Sequence, residues 1–440
     1  MKSLKILSFF QPKPMNGSKY QAVNLIGNII SLYRQWFTLF LWACFLLLNS
    51  LSTLAQKDST NNSFFKLPNL PGYLTLKGDF HMHTVLSDGY VWPALRAQEA
   101  IRDGLDVISV TEHVDFERYP NDIKRDMNRS YEIARKAAGT SGLLVINGLE
   151  ISPRVPPYHC NAIFMQDGNK VPVKYMKQTT ESFKMKDNPT RAELMAPFLE
   201  AKKQDAFVFY NHPNYSWWDK KSKELFTDFH QELLDKGILK GVEVANRGGY
   251  NVIAHKLAAK YNLAMFANSD EHRGLPASTK ETHRPVTLVF AQSKTPAALK
   301  EAMNARRTAV YFDDYVIGRA SEMEPFFKAA VTITAVQENR KGEPIIVLNI
   351  KNNSTIPFQV KLKSDYNLEK HPLGAVTLKP EAVTKVTLGA VWEYPAPLLV
   401  KCTVDNILVA PEEPLQTEFK LTTVPGNKKT NSPGQDADTD

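Results

Sequence analysis

Cysteine is almost absent: the 440 residues hold Cys44, Cys160 and Cys402 and no more. So few thiols exclude a disulfide framework, which needs several paired cysteines in a short chain. Acidic residues are missing from positions 1–55, where Lys2, Lys5, Lys13, Lys19 and Arg34 stand unopposed. These five charges make up most of the formal +8 and leave +3 for the rest of the chain. A balance that small makes no case for a nucleic-acid partner. A long apolar run is missing as well. The strongest candidate, Trp36 to Leu51, is short for a membrane-spanning helix.

That run has a use all the same. It follows a basic stretch, and Thr53-Leu54-Ala55 supplies small residues where a signal peptidase would cut. Residues 1–55 therefore read as a secretory signal cleaved near Ala55. The mature protein is then periplasmic or secreted, with no stable membrane span. Residues 56–73 read as a polar linker entering the fold. With 43% hydrophobic residues the remainder can bury a sizeable core, and its length suggests two domains.

From Leu74 to about residue 325, β-branched runs alternate with helical patterns. Asp106 to Val110 leads into Thr111-Glu112-His113. Leu143 to Ile146 leads into Asn147-Gly148-Leu149-Glu150. Ala206 to Tyr210 leads into Asn211-His212-Pro213, and Leu263 to Ala267 into Asn268-Ser269-Asp270-Glu271-His272. Alternation of this kind predicts parallel strands with crossover helices. After Glu324 the texture changes to short alternating strands, which predict a β-sandwich over residues 326–424. Residues 425–440 read as a disordered tail. No internal repeat is evident.

Ligands in such folds gather at the carboxyl ends of the strands. Histidine and acid fall there repeatedly. In Phe80-His81-Met82-His83 the alternation of an extended chain turns both imidazoles to one face. Asp88, in a turn closed by Gly89, can reach the same place. His113, Glu150, His159, His212, Asp270 and His272 follow at later strand ends. Taken alone, each is more often a loop or core residue than a ligand. As a set on one repeating fold they suit two or three divalent ions, with Zn, Mn or Fe matching the imidazole and carboxylate donors. A carboxylate such as Glu150 can bridge two cations. Cys160 beside His159 and Cys402 read as structural thiols.

At these residues the sequence resembles the PHP (polymerase and histidinol phosphatase) family. His81, His83 and Asp88 match its His-x-His-x4-Asp-Gly motif, and Thr111-Glu112-His113 its Thr-Asp/Glu-His motif. Gly148-Leu149-Glu150 with His159, then His212-Pro213, then Asp270-Glu271-His272 match the rest. The resemblance covers roughly Leu74 to Phe312. It implies an α/β fold, a distorted β/α barrel, here followed by a small β-sandwich. It also implies hydrolysis of phosphate esters at a two- or three-metal site by a metal-bridging hydroxide. The stretch Glu150 to Ala162 looks like exported phosphodiesterases of the Sb-PDE type, although Tyr158 stands where that type would have glycine.

Further residues are candidates for the substrate. Arg154, between Glu150 and His159, could clamp a phosphate with its guanidinium; a loop salt bridge is the plainer alternative. Trp217 and Trp218 could line a pocket for an apolar ester arm, and Arg307 and Tyr311 are weaker candidates. His212 and Asp270 join Arg154 as candidate catalytic residues. His255, in a helical stretch, and His371, in a turn, read as solvated. The expected substrate is a small organic phosphate ester, a diester before a monoester. A phosphomonoesterase of the histidinol-phosphatase type is the alternative within the class. A non-catalytic, metal-stabilised envelope module is the alternative outside it.

Overall fold

The computed structural model describes residues 65–178, 183–213, 225–247, 249–279 and 282–426. The signal stretch and most of the C-terminal tail lie outside them, as do Trp217 and Trp218. Among the described residues no helix is long and apolar enough to cross a membrane.

Strand β1 (Leu74–Asp79) is followed by α1 (Pro93–Arg102), β2 (Val107–His113), α2 (Arg129–Ala138) and β3 (Leu144–Ile151). Pro93 opens α1, where its fixed φ and missing N–H cost nothing. Ser130, Ala134 and Ala138 form the buried stripe of α2, four residues apart on one face. These three strands are parallel, as expected. The expectation of parallel strands throughout is corrected at the next one. β4 (Cys160–Ile163) runs antiparallel to β3. Only residues 152–159 join them, too few for the crossover that a parallel pair requires.

The chain continues through α3 (Arg191–Lys203), β5 (Phe207–Tyr210), α4 (Asp228–Asp235), β6 (Leu239–Asn246), α5 (Val252–Lys260) and β7 (Ala264–Asn268). Thr190 and Glu193 close a capping box at the start of α3. β5 pairs antiparallel with β4, and β5, β6 and β7 are mutually parallel. The sheet order from β7 back to β1 is the chain order reversed. Just beyond β7 the chain returns beside β1. Asp270 N donates to His81 O at 2.8 Å and His83 N donates to Glu271 O at 3.0 Å. These bonds close the strands into a distorted barrel at the end that carries the histidines.

β8 (Val286–Ala291), α6 (Pro296–Asn304), β9 (Thr308–Phe312) and β10 (Tyr315–Gly318) extend the sheet on the other side of β1, all antiparallel. Here side chains tie β7 to its neighbours. Thr287 Oγ1 accepts from Ala267 N and donates to Ala267 O, and Thr308 Oγ1 accepts from Met265 N. An aromatic cluster packs among the barrel strands. Phe209 stacks on Phe266 with centroids 4.3 Å apart, Phe80 meets the same ring edge-on, and Phe207 packs tilted beside it.

Helix α7 (Ala320–Ala330) runs directly into β11 (Val331–Arg340). The boundary expected at residues 325/326 therefore falls inside a helix whose Met323, Phe326, Phe327 and Ala330 are buried. Apart from the two-residue strand Asn367–Leu368, the remaining strands are β12 (Glu343–Asn352), β13 (Phe358–Lys363), β14 (Ala375–Leu378), β15 (Val383–Gly389), β16 (Leu398–Ala410), β17 (Glu413–Leu421) and β18 (Thr423–Pro425). β15-β12-β11-β18 form one sheet, with Asn367–Leu368 added at its β15 edge. β14-β13-β16 with β17 form the other, and it joins the barrel sheet through β10 and β16. In β13 Phe358, Val360 and Leu362 are buried while Gln359, Lys361 and Lys363 are exposed, the two-residue alternation of a sandwich strand.

The expected linker is corrected where it is described. Phe65 and Leu70 are buried, and Phe65 packs edge-on against His283 and Tyr311. Lys66 pairs with Glu381 beyond the barrel. Pro425 and Gly426 are likewise still paired with β11, so the expected tail starts later than residue 425.

Candidate metal centre

The nine residues read from strand ends converge. Four overlapping groups place donor atoms within 4.8 Å of one another: His83, Asp88, His113 and His272; His81, His83 and Asp270; His81, Glu150 and His212; His113, Glu150 and His159. Each of the nine appears at least once. Local structure explains the convergence. His81 and His83 lie just past β1, while Phe80 and Met82, which alternate with them, are fully buried in packing. Asp88 is brought back by a turn in which Gly89 N donates to Thr84 O at 2.8 Å. A Cβ at Gly89 would meet the Thr84 backbone at 2.7 Å, so only glycine fits that turn.

His212 and Asp270 take positive φ, 27° and 46°, and so does Arg247 at 50°. Such conformations are costly for residues other than glycine and persist where the surroundings impose them. Here His212 N donates to Glu243 Oε2 at 2.8 Å, and Asp270 N to the His81 carbonyl.

Glu150 is the hub. Its Oε2 lies 3.5 Å from His81 Nε2, 3.4 Å from His83 Nε2 and 3.1 Å from His113 Nδ1. Its Oε1 lies 3.0 Å from His159 Nδ1 and accepts from Asn211 Nδ2 at 2.7 Å. Nε2 of His81 and Nε2 of His83 are 3.1 Å apart and both lie 3.3 Å from Asp270 Oδ1. On the outer side His272 Nε2 is 3.0 Å and His113 Nε2 3.3 Å from Asp88 Oδ2.

Glu243 is a site residue that sequence reasoning missed. It sits on the barrel-facing side of β6, between the buried Val242 and Val244. Its carboxylate accepts the His81 Nδ1–H at 2.8 Å, which turns His81 Nε2 toward Glu150 and Asp270. The readable signal was an acid within an otherwise apolar strand, which is rarely buried without partners. Arg247 was also missed. Its guanidinium meets Asp270 Oδ2 at 3.3 Å and the Asp270 carbonyl at 2.9 Å.

The charges balance only locally. Burial would lower His81, but Asp270, Glu243 and Glu150 lift it well above its ordinary value. Burial opposes the same effect at His113, where Glu150 and Asp88 push the ring up to about 10. Burial holds His83 down to about 3, against Asp88 and with the repulsion of its imidazole neighbours. Burial would raise Glu150, Asp88 and Asp270, yet the surrounding imidazoles hold all three low. Among the described residues, two buried atoms of the site, Glu150 Oε2 and His83 Nδ1, have no hydrogen-bond partner. Three ionised carboxylates among clustered imidazoles fit divalent cations, and a bound ion would replace the protons that His81 and His113 otherwise attract.

The donors open into a cavity of about 520 Å³. Arg154, Lys184 and Arg247 line it together with Phe116, Met176 and Met185. Arg154, expected to contact phosphate, lines the same cavity as the donors. Arg307 does not, and that expectation is corrected. Its guanidinium lies 4.6 Å from the Tyr73 ring centroid, pairs with Glu301 and donates to Phe290 O, away from the cavity. Tyr311 is buried against His283. His255 is not solvated: it is 1% exposed and bonded to Tyr250 Oη at 3.0 Å. His371 is half-buried and lies 3.1 Å from Ala375 O. Cys160 and Cys402 are buried free thiols.

Comparison with known proteins bears on the fold and the family. An Ig-like domain family model (DUF5001) matches residues 331–420, the sandwich strands. A crystal structure of a two-domain protein from Bacteroides vulgatus ATCC 8482, described as containing a predicted PHP-like metal-dependent phosphoesterase, is similar at a TM-score of 0.70 and 35% identity. The match covers 81% of this chain and 98% of that one. An uncharacterized protein of Methanocaldococcus jannaschii is 24% identical over 203 residues, which is 45% of this chain and 82% of its own length.

Proposed function

The chain belongs to the PHP-like metal-dependent phosphoesterases, and from that premise we propose that it hydrolyses phosphodiesters of small organic molecules after export from the cell. The observation that carries the reading is the convergence of nine strand-end donors on Glu150 in overlapping groups. Two or three divalent ions, Mn, Zn or Fe, would be held by His81, His83, Glu150 and Asp270 on the inner side and by Asp88, His113 and His272 on the outer, with His159 and His212 completing the set. Bound there, such ions supply an activated water and Lewis acidity toward the phosphoryl group.

The protein's own groups do the rest. Arg154 faces the cavity and can pair two N–H groups with non-bridging oxygens, where charge grows in the transition state. Glu243 and Arg247 hold His81 and Asp270 in place. His212 lines the cavity and is the candidate to hand a proton to the leaving group. Phe116, Met176 and Met185 offer apolar surface beside these charges. A diester brings a second organic arm to such a surface and carries one charge near neutral pH. The exported Sb-PDE-type phosphodiesterases, with their C-terminal β-sandwich, fit the same reading. The basic, acid-free front and the apolar run at residues 36–51 support export.

A specific observation favours a second reading, phosphomonoesterase. Lys184 and Arg247 add two cations to the cavity wall, and a monoester carries about two charges. Arg247 is, however, already set against Asp270. The test is the ratio of kcat/KM for bis(4-nitrophenyl) phosphate and 4-nitrophenyl phosphate in the Mn- or Zn-loaded protein. The diester is expected to win, and Arg154→Ala to slow both by on the order of a hundredfold. A clear preference for the monoester would replace the first reading by the second.

A further inference from the structure

His113 belongs to two of the four donor groups, and one ring cannot serve both through one nitrogen. Its Nδ1 lies 3.1 Å from Glu150 Oε2, and its Nε2 lies 3.3 Å from Asp88 Oδ2. The choice is made by residues outside all four groups. His113 Nδ1 is 2.7 Å from Ser152 Oγ. The Ser152 hydroxyl bonds to Asp115 Oδ1, and Tyr175 Oη donates to Asp115 Oδ2 at 2.9 Å. Asp115 is 8% exposed, Ser152 7% and Tyr175 0%. Burial and the Asp115 carboxylate hold the Tyr175 phenol well above its usual value, so the phenol keeps its proton.

Proton counting gives the chain a direction. As a carboxylate, Asp115 only accepts, and a serine has one proton to give. That proton goes to Asp115, so Ser152 turns a lone pair to the imidazole and Nδ1 must carry the hydrogen. The lone pair on Nε2 is then the one left to bind.

We propose that Ser152, Asp115 and Tyr175 form a positioning relay that fixes the His113 tautomer and commits its Nε2 to the outer group of His83, Asp88 and His272. The inference rests on the metal-centre reading above. Its consequence is selective: loss of the relay weakens one metal position, the outer one, and spares the positions built on His81, Glu150 and Asp270.

The experiment is a calorimetric titration of the metal-free full chain with Zn²⁺, with chelator competition for the tight sites and circular dichroism to verify the fold. Ser152→Ala should weaken one site by about 10- to 100-fold, the range for removing a partner that orients a ligand, and leave the others within about twofold. Ser152→Thr, which keeps the hydroxyl, should restore it. If Ser152→Ala does not fold, Asp115→Asn and Tyr175→Phe are read in the same way. Equal weakening of every site, or no change at any, overturns the relay. Absence of any Zn²⁺ binding by the parent chain would instead overturn the metal-centre reading itself.

Discussion

Replacing Glu243 by glutamine changes one atom type and no volume, yet it strikes the support of the whole inner site. Glu243 Oε1 accepts from His81 Nδ1 and Asn268 Nδ2, each at 2.8 Å. Oε2 accepts from the His212 backbone N–H and Asn246 Nδ2, each at 2.8 Å. All four partners are donors, so the new NH₂ must face two of them in either orientation. Hydrogen bonds to a charged group contribute about 1.5–3 kcal/mol each, and losing two costs about 3–6 kcal/mol before relaxation. The metal-free Glu243→Gln chain should therefore be less stable by about 3 kcal/mol or more in urea unfolding. His81 also loses the acceptor that selects its Nδ1–H form, so affinity for the tightest metal should fall by about 10- to 100-fold in chelator competition. Stability within about 0.5 kcal/mol of the parent, with unchanged metal affinity, would refute the role given to Glu243.

Two further outcomes follow from groups outside the site. His230 is fully buried and held down to about 4 by that burial, below its ordinary 6.5. Above about 6.5 both folded and unfolded rings are neutral; as pH falls toward 4 the unfolded chain takes up the proton and the folded one does not. Stability present above 6.5 is thus lost on acidification, by up to about 3 kcal/mol. His230→Gln, which keeps a capping-box residue opposite Thr227, should lose this dependence; a parent-to-variant difference that stays constant from pH 7 to pH 4 would contradict it. Arg307→Ala should leave kcat/KM within about twofold and lower stability by about 1 kcal/mol, since its contacts are Tyr73, Glu301 and the Phe290 carbonyl; a large loss of activity would return it to the site.

Much of the site was legible because its residues sit in short local patterns. His81 and His83 follow an extended run, and His113, Glu150, His212 and Asp270 each end or follow a run of buried strand residues. A strand end is a local property, and a closed sheet brings strand ends together without further instruction. The residues that orient the donors were not legible, because their roles depend on which way a side chain faces across the barrel. Glu243 looks like any acid in a strand until β6 is paired with β7 and β5. The antiparallel turn into β4 could have been read from residues 152–159, which cannot hold a crossover helix. The pairing of β10 with β16 could not, since it joins residues some ninety positions apart through backbone alone. His255 was misread for a similar reason: Ala254, His255 and Ala258 form the buried face of α5, and only tertiary packing decides that.

Metal binding at Glu150 is the property on which the proposed hydrolysis depends. Elemental analysis of the full chain, purified without chelators and reloaded with Mn, Zn or Fe, should find two or three divalent ions per chain, and Glu150→Ala, which removes the hub between the donor groups, should cut that number and abolish phosphate-ester hydrolysis. A parent chain that binds no divalent ion, or a Glu150→Ala chain with full metal content and full activity, would contradict it.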